Sequence, residues 1–239
     1  MLFRSEALAS EIGDLVSRRA SEGRHAVLGL ATGSTPIRLY AELVRLHRQG
    51  LSFSNVVTFN LDEYLGIGRD HPESYWKFMH SHLFDHIDIS RENIHIPDGS
   101  ISPDSLEDYC DSYERKITST GGIDLQVLGI GRNGHIGFNE PGALPDLTTH
   151  VTELNPVTIH DAANSFGGSE NVPSRAITMG VKTILEARRV VLLAFGHAKA
   201  EIVQRALTPG VTTEVPATYL QLHGDSAYFL DEEAAARLD

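Results

Sequence analysis

The densest chemistry in this chain lies in Leu128–Gly142, which reads LGIGRNGHIGFNEPG. His135 is the side-chain type that titrates nearest neutrality, and Glu140 is a carboxylate in the same short stretch. Asn133 precedes the histidine by two positions, and Gly131, Gly134, Gly137 and Gly142 punctuate the run. Glycine costs backbone entropy and is used where a chain turns sharply or a ligand comes close. An ordinary turn selects Asn, Asp and Gly but has no need of His and Glu as well. The expected chemistry is proton transfer, with the carboxylate holding one ring nitrogen while the other exchanges a proton. Asn133 can only donate and accept hydrogen bonds.

A second candidate is Thr32–Pro36, TGSTP, which follows the apolar run His25–Ala31. Ile37, Tyr40, Leu43, Val44 and His47 then recur at helical spacing, so the order is strand, hydroxyl-rich loop, helix. Thr35 is expected to cap that helix, with Pro36 at its first position. Thr32, Gly33, Ser34 and Thr35 would then offer amides and hydroxyls to an anion. No P-loop lysine is present, so a nucleoside triphosphate is not implied. A helix terminus contributes only about 1 kcal/mol, so a dianionic phosphate needs a cation from elsewhere. Lys199, in GHAK at the opening of a late helix, meets that need. Asp62 and Glu63 follow the apolar strand Asn55–Asn60; as neighbours they point different ways, so one of them is expected to function.

These groups must be positioned by strands alternating with helices. Leu2–Ser21 reads as an amphipathic helix, Pro72–Phe84 and Pro103–Ser119 as two more, and Val172–Glu186 as a turn and helix. Ile123–Ile130, the continuous run Arg189–Phe195 and Ala227–Leu230 read as strands, and a short charged helix closes the chain. The expectation is a single α/β domain over residues 1–239, a Rossmann-like three-layer sandwich with a mostly parallel sheet covered by helices on both faces. Strand ends of such a sheet converge on one edge, so Thr32–Thr35, Asp62, Asn133–Glu140 and Lys199 are expected to share a pocket. Gly129, Gly131 and Gly134 match the dinucleotide fingerprint, but Phe138–Gly142 cannot open the helix that fingerprint requires.

Net charge is −12, from 20 Lys+Arg against 32 Asp+Glu, which excludes nucleic acid and anionic membranes as main partners. The single cysteine, Cys110, excludes an internal disulfide and a multi-cysteine metal site, and suits the cytoplasm. His82 and His86 are spaced like a metal pair, but no third ligand follows, so neither metal nor cofactor is expected. No apolar run approaches the roughly 18 residues of a membrane span.

The segments LGLATGSTP, FNLDEY, LGIGRNGHIGFNEPG, SRAITMG and PATYLQLH resemble the glucosamine-6-phosphate deaminase family, from about Ala26 to about His223. The resemblance implies a hydrolase-type deamination of glucosamine 6-phosphate to fructose 6-phosphate and ammonia. It implies that Asp62 removes the C2 proton, His135 drives ring opening, Glu140 orients the histidine, and Asn133 assists where some relatives carry Asp. Many relatives place a phosphate-binding arginine just after an Ala-Asn dipeptide, whereas here Ala163 and Asn164 are followed by Ser165 and Phe166. Arg175 is the candidate replacement. Larger members are hexamers activated through a basic cluster beyond the NEPG loop, but Leu147–Asn155 holds no Lys or Arg. A monomer or small homo-oligomer with hyperbolic kinetics is therefore expected. 6-Phosphogluconolactonase, galactosamine-6-phosphate deaminase and a non-catalytic sugar-phosphate sensor are the rival readings.

Overall fold

The computed structural model describes residues 2–238. Its central sheet has six parallel strands: β1 (Ala26–Leu30), β2 (Val56–Asn60), β4 (Ile94–His95), β5 (Leu125–Leu128), β8 (Arg189–Ala194) and β9 (Ser226–Leu230). Their order is β4-β2-β1-β5-β8-β9. The chain therefore runs outward in one direction from β1 and in the other from β5. Between those two strands the connections part, which opens a crevice at the carboxyl ends of a parallel sheet.

Helices cover both faces. α1 (Leu2–Ser21), α2 (Ile37–Arg48) and α3 (Tyr75–His82) lie on one; α4 (Leu106–Ser119), α6 (Val181–Leu185) and α7 (Ala200–Leu207) lie on the other. Strand β1 shows why both are needed. Ala26, Leu28 and Leu30 pack with Leu8, Ile12 and Leu43 of α1 and α2, while Val27 belongs to the opposite core with Ile117 of α4 and Val203 of α7. A strand buried on both faces reads as a continuous apolar run, as this one does. Each fully buried leucine here contributes on the order of 2 kcal/mol of transfer free energy.

A second, antiparallel sheet was not foreseen. β3 (Asp62–Tyr64) pairs with β7 (Arg175–Thr178), which pairs with β6 (His150–Glu153), and α5 (Pro156–Phe166) packs beside it. The turn and helix expected over Val172–Glu186 are instead strand β7 followed by the short α6. Three- and four-residue strands are too brief to show a period, and Ala176 and Ile177 are both buried, so no alternation marks them. Thr35 does not cap α2: Pro36 occupies the cap position and the helix starts at Ile37. Residues 232–237 form turns, not the expected closing helix.

Candidate active site

A cleft of about 290 Å³ lies at the carboxyl ends of β1, β2 and β5. Thr32, Gly33, Ser34 and Thr35 enter it after β1, Asp62 and Tyr64 from β3, Gly131, His135 and Phe138 from the loop after β5, and Lys199 after β8. Asp62 and His135 thus face the same space, with the hydroxyl-rich loop and Lys199 along its wall. The Gly129–Gly142 stretch forms turns and no helix, which removes the dinucleotide reading.

Lys199 donates to the Ile130 carbonyl at 2.7 Å, and burial pulls its pKa below the ordinary lysine value. Among the described residues it is the one Lys or Arg lining the cleft. Arg175 does not line it. That guanidinium is exposed at the far end of β7, 3.6 Å from Glu153, because β7 runs its other end, Thr178, toward Asp62. Ala163–Asn164 is followed by Ser165 and then Phe166, whose ring meets Tyr64 at 5.2 Å and His71 at 5.7 Å. An aromatic contact stands there instead of a cation.

Behind His135 lies a closed hydrogen-bond network. Nδ1 is 3.3 Å from Glu140 Oε2 and 3.3 Å from Thr158 Oγ1. The Thr158 hydroxyl has one proton and donates it to Glu140 Oε1 at 2.6 Å, so toward the ring it only accepts. Nδ1 is therefore the protonated nitrogen, and Nε2 keeps its lone pair for proton transfer. Asn133 donates to Glu140 Oε2 at 2.7 Å and accepts from the His135 amide at 3.2 Å; the Asn155 amide, at the start of α5, donates to Glu140 Oε1. Burial opposes ionisation of Glu140, but these donors and the imidazole outweigh it and hold the carboxyl below its ordinary range. Asn133 and Glu140 do not line the cleft; they lie behind His135, in contact with its ring or its amide.

Asp62 sits in a different environment. It is 6% exposed, and burial, followed by the charge of Glu63, pushes its carboxyl up to about 8. The Asp62 and Glu140 carboxyls are driven in opposite directions, a pattern of the kind that sets a proton-accepting group apart from a charged support.

Two glycines in the loop have no substitute. Gly134 has φ +89°, and a Cβ there would meet Val215 Cγ1 at 2.6 Å. At Gly131 a Cβ would lie 2.2 Å from His135 Cε1 and 2.4 Å from Nε2. Gly131→Ala is expected to push the imidazole aside and lower kcat by about 10²-fold, with circular dichroism unchanged.

Thr158, Asp161 and Tyr75 also line the cleft and were not identified from sequence. Asn155-Pro156 was a legible helix start, since Asn155 caps α5 and Pro156 opens it. Nothing local marked which face of that helix would meet Glu140. Asp161 pairs with Arg132, fixing the outer end of the loop against α5. Among the described residues no group of three His, Cys, Asp or Glu is placed to hold a metal ion, and His86 is bonded to the Ser81 carbonyl.

Residues 4–229 match the family described as glucosamine-6-phosphate isomerases/6-phosphogluconolactonase. A glucosamine-6-phosphate deaminase of Thermoanaerobacter sp. (strain X514) is 48% identical over 97% of this chain and 91% of its own. One from Clostridium botulinum strain Langeland is 43% identical over 98% and 95%. A solved structure described as a monomeric glucosamine-6-phosphate deaminase superposes with a TM-score of 0.93 at 43% identity, covering 98% of this chain and 95% of that one. The 6-phosphogluconolactonase of Thermotoga maritima, at 23% identity and a TM-score of 0.73, shares the fold. Family match, relatives and fold agree along the whole length: this chain belongs to the glucosamine-6-phosphate isomerase/6-phosphogluconolactonase family.

Proposed function

We propose that this chain converts glucosamine 6-phosphate and water to fructose 6-phosphate and ammonia. The observation that carries the reading is the pairing of Asp62 and His135 across one cleft whose wall holds Thr32–Thr35 and Lys199. The relatives named as deaminases support the substrate.

In this reading the loop hydroxyls and Lys199 bind the phosphate. His135 Nε2 takes the proton of the anomeric hydroxyl and returns it to the ring oxygen as the C1–O5 bond breaks. Glu140 stabilises the imidazolium formed on the way. Asp62 removes the C2 proton from the open-chain aldehyde, giving an enolamine. A proton added at C1 leaves an imine at C2; water adds there and ammonia departs. Water enters only in that last step, so the reaction is an isomerisation that ends in imine hydrolysis. No redox cofactor is required, since C1 is reduced as C2 is oxidised.

Ammonia release from glucosamine 6-phosphate, run beside hydrolysis of 6-phosphogluconolactone and deamination of galactosamine 6-phosphate, tests the proposal. Turnover of the lactone alone would reassign it. Lys199→Met is expected to raise KM for the sugar phosphate about 10²-fold with a smaller change in kcat, because it removes the one cation that lines the cleft among the described residues. A monomer is the proposed state, on the likeness to the solved deaminase described as monomeric. Sedimentation equilibrium would reveal any larger assembly.

A further inference from the structure

The Asp62–Glu63 pair sends its carboxylates to opposite sides of β3, and the second has no part in the chemistry above. Glu63 is 2% exposed. Its Oε1 accepts from the Tyr64 amide at 2.9 Å, and its Oε2 from the amides of Tyr75 at 2.8 Å and Trp76 at 3.2 Å. The last two open α3, where Ser74 Oγ takes the next amide, that of Lys77. With both acceptors in place the start of the helix has no orphan donor, and the carboxylate also meets the positive end of the helix dipole. What Glu63 ties down is a wall of the cleft. Tyr64 and Tyr75 both line it, their rings are 5.1 Å apart, and the Tyr75 hydroxyl lies beside that of Thr32 in the anion-binding loop.

We propose that Glu63 is a positioning residue: its ionised carboxylate joins β3 to the start of α3, holding Tyr75 against Tyr64 and Thr32 so that the loop keeps its grip on the substrate. This rests on the deaminase reading of the cleft. Binding depends on the tie; Glu63 reaches the proton transfer only through its charge on Asp62, which is read in the pH dependence of kcat and not in KM.

Burial raises the Glu63 carboxyl to about 7 against the pull of its three amides, so its charge changes near neutrality. The titratable groups whose charges couple to it are Asp62 and Tyr64 on its own strand and Asp98 from the loop beside β3, while Tyr75 of α3 meets it through its amide. β7 sets Ile177 opposite it, and Arg69, stacked on Trp76, acts on Asp98.

Deamination kinetics of the wild type, Glu63→Gln and Ser74→Ala from about pH 5.5 to about pH 8.5 provide the test. At the alkaline end Glu63→Gln is expected to raise KM about tenfold with kcat within about threefold. The ratio of its KM to that of the wild type should fall toward one as the pH drops through about 7, because the wild-type carboxyl then loses its charge. Titration of the substrate affects both enzymes and cancels in the ratio. Ser74→Ala, which weakens the same helix start through a neutral cap, should show a ratio flat with pH. Glu63→Asp serves if the glutamine variant does not fold, and should raise KM while keeping the pH dependence.

The single tryptophan, Trp76, gives a readout without turnover. Acrylamide quenching should be greater in Glu63→Gln than in the wild type at high pH and converge at low pH. His80, whose ring lies tilted against Trp76 at 4.4 Å, is present in both. A KM ratio below about twofold at the alkaline end, or one that does not change with pH, overturns the proposal. If the wild type does not deaminate the sugar, the reading of the reaction fails, and equal quenching at both ends of the range would separately refute the role of Glu63.

Discussion

Asp62→Asn is expected to lower kcat by roughly 10³–10⁴-fold while the sugar phosphate still binds, since the asparagine cannot accept the C2 proton. Ammonia release measures the first part and isothermal titration the second; wild-type turnover would remove Asp62 from the role. The same substitution has a stability consequence of definite sign. A buried carboxyl raised to about 8 binds its proton more tightly in the folded state than in the unfolded one. The stability it contributes is complete below the ordinary carboxylate pKa and is lost as pH rises toward about 8. A shift of that size corresponds to at most about 6 kcal/mol. Asp62→Asn escapes that loss. Its melting temperature should exceed the wild type's at alkaline pH, and the two should converge in mild acid. In the wild type, kcat/KM should climb with pH through about 8, because the base must be ionised in the free enzyme.

His135→Asn is expected to cost about 10²–10³-fold in kcat, somewhat less than loss of the base, because sugar rings open slowly without assistance. Asparagine preserves a hydrogen-bonding group near Glu140 but has no basic nitrogen in the place of Nε2 to take the anomeric proton. Turnover should then be limited by the supply of open-chain substrate, and a lag-free progress curve at the wild-type rate would refute the assignment. Glu140→Gln makes a useful companion. Glu140 is held ionised by His135, Thr158 and Asn133, so the variant leaves the imidazolium without its counter-charge and should lose a similar factor. The wild-type profile should show no acid limb from residue 140, since the imidazole and the hydrogen-bond donors hold that carboxyl below its ordinary range.

Much of this site could be read from one dimension. The glycine-spaced His135–Glu140 loop, the hydroxyl run Thr32–Thr35 and the strand-terminal Asp62 are local signals: each combines residue types that turn chemistry or core packing alone would not select. Their convergence followed from the alternation of strands and helices, because a parallel sheet brings its loops to one edge. That alternation was carried by runs long enough to show a period.

Tertiary structure decided the rest. Sheet β3-β7-β6 is built from strands of three and four residues, and in so short a segment burial comes from distant neighbours, not from the pattern of the segment itself. Arg175 looked like the missing cation because nothing in its own neighbourhood records which end of β7 points to the cleft. The antiparallel register with β3 gives that place to Thr178. Thr158 meets Glu140 because α5 packs across the loop, and Glu63 turns from its neighbour Asp62 because α3 offers it two amides. Residue type specifies which chemistry a side chain can do. Which chemistry it performs depends on hydrogen-bond partners and desolvation supplied by elements far along the chain, and these exist only after folding.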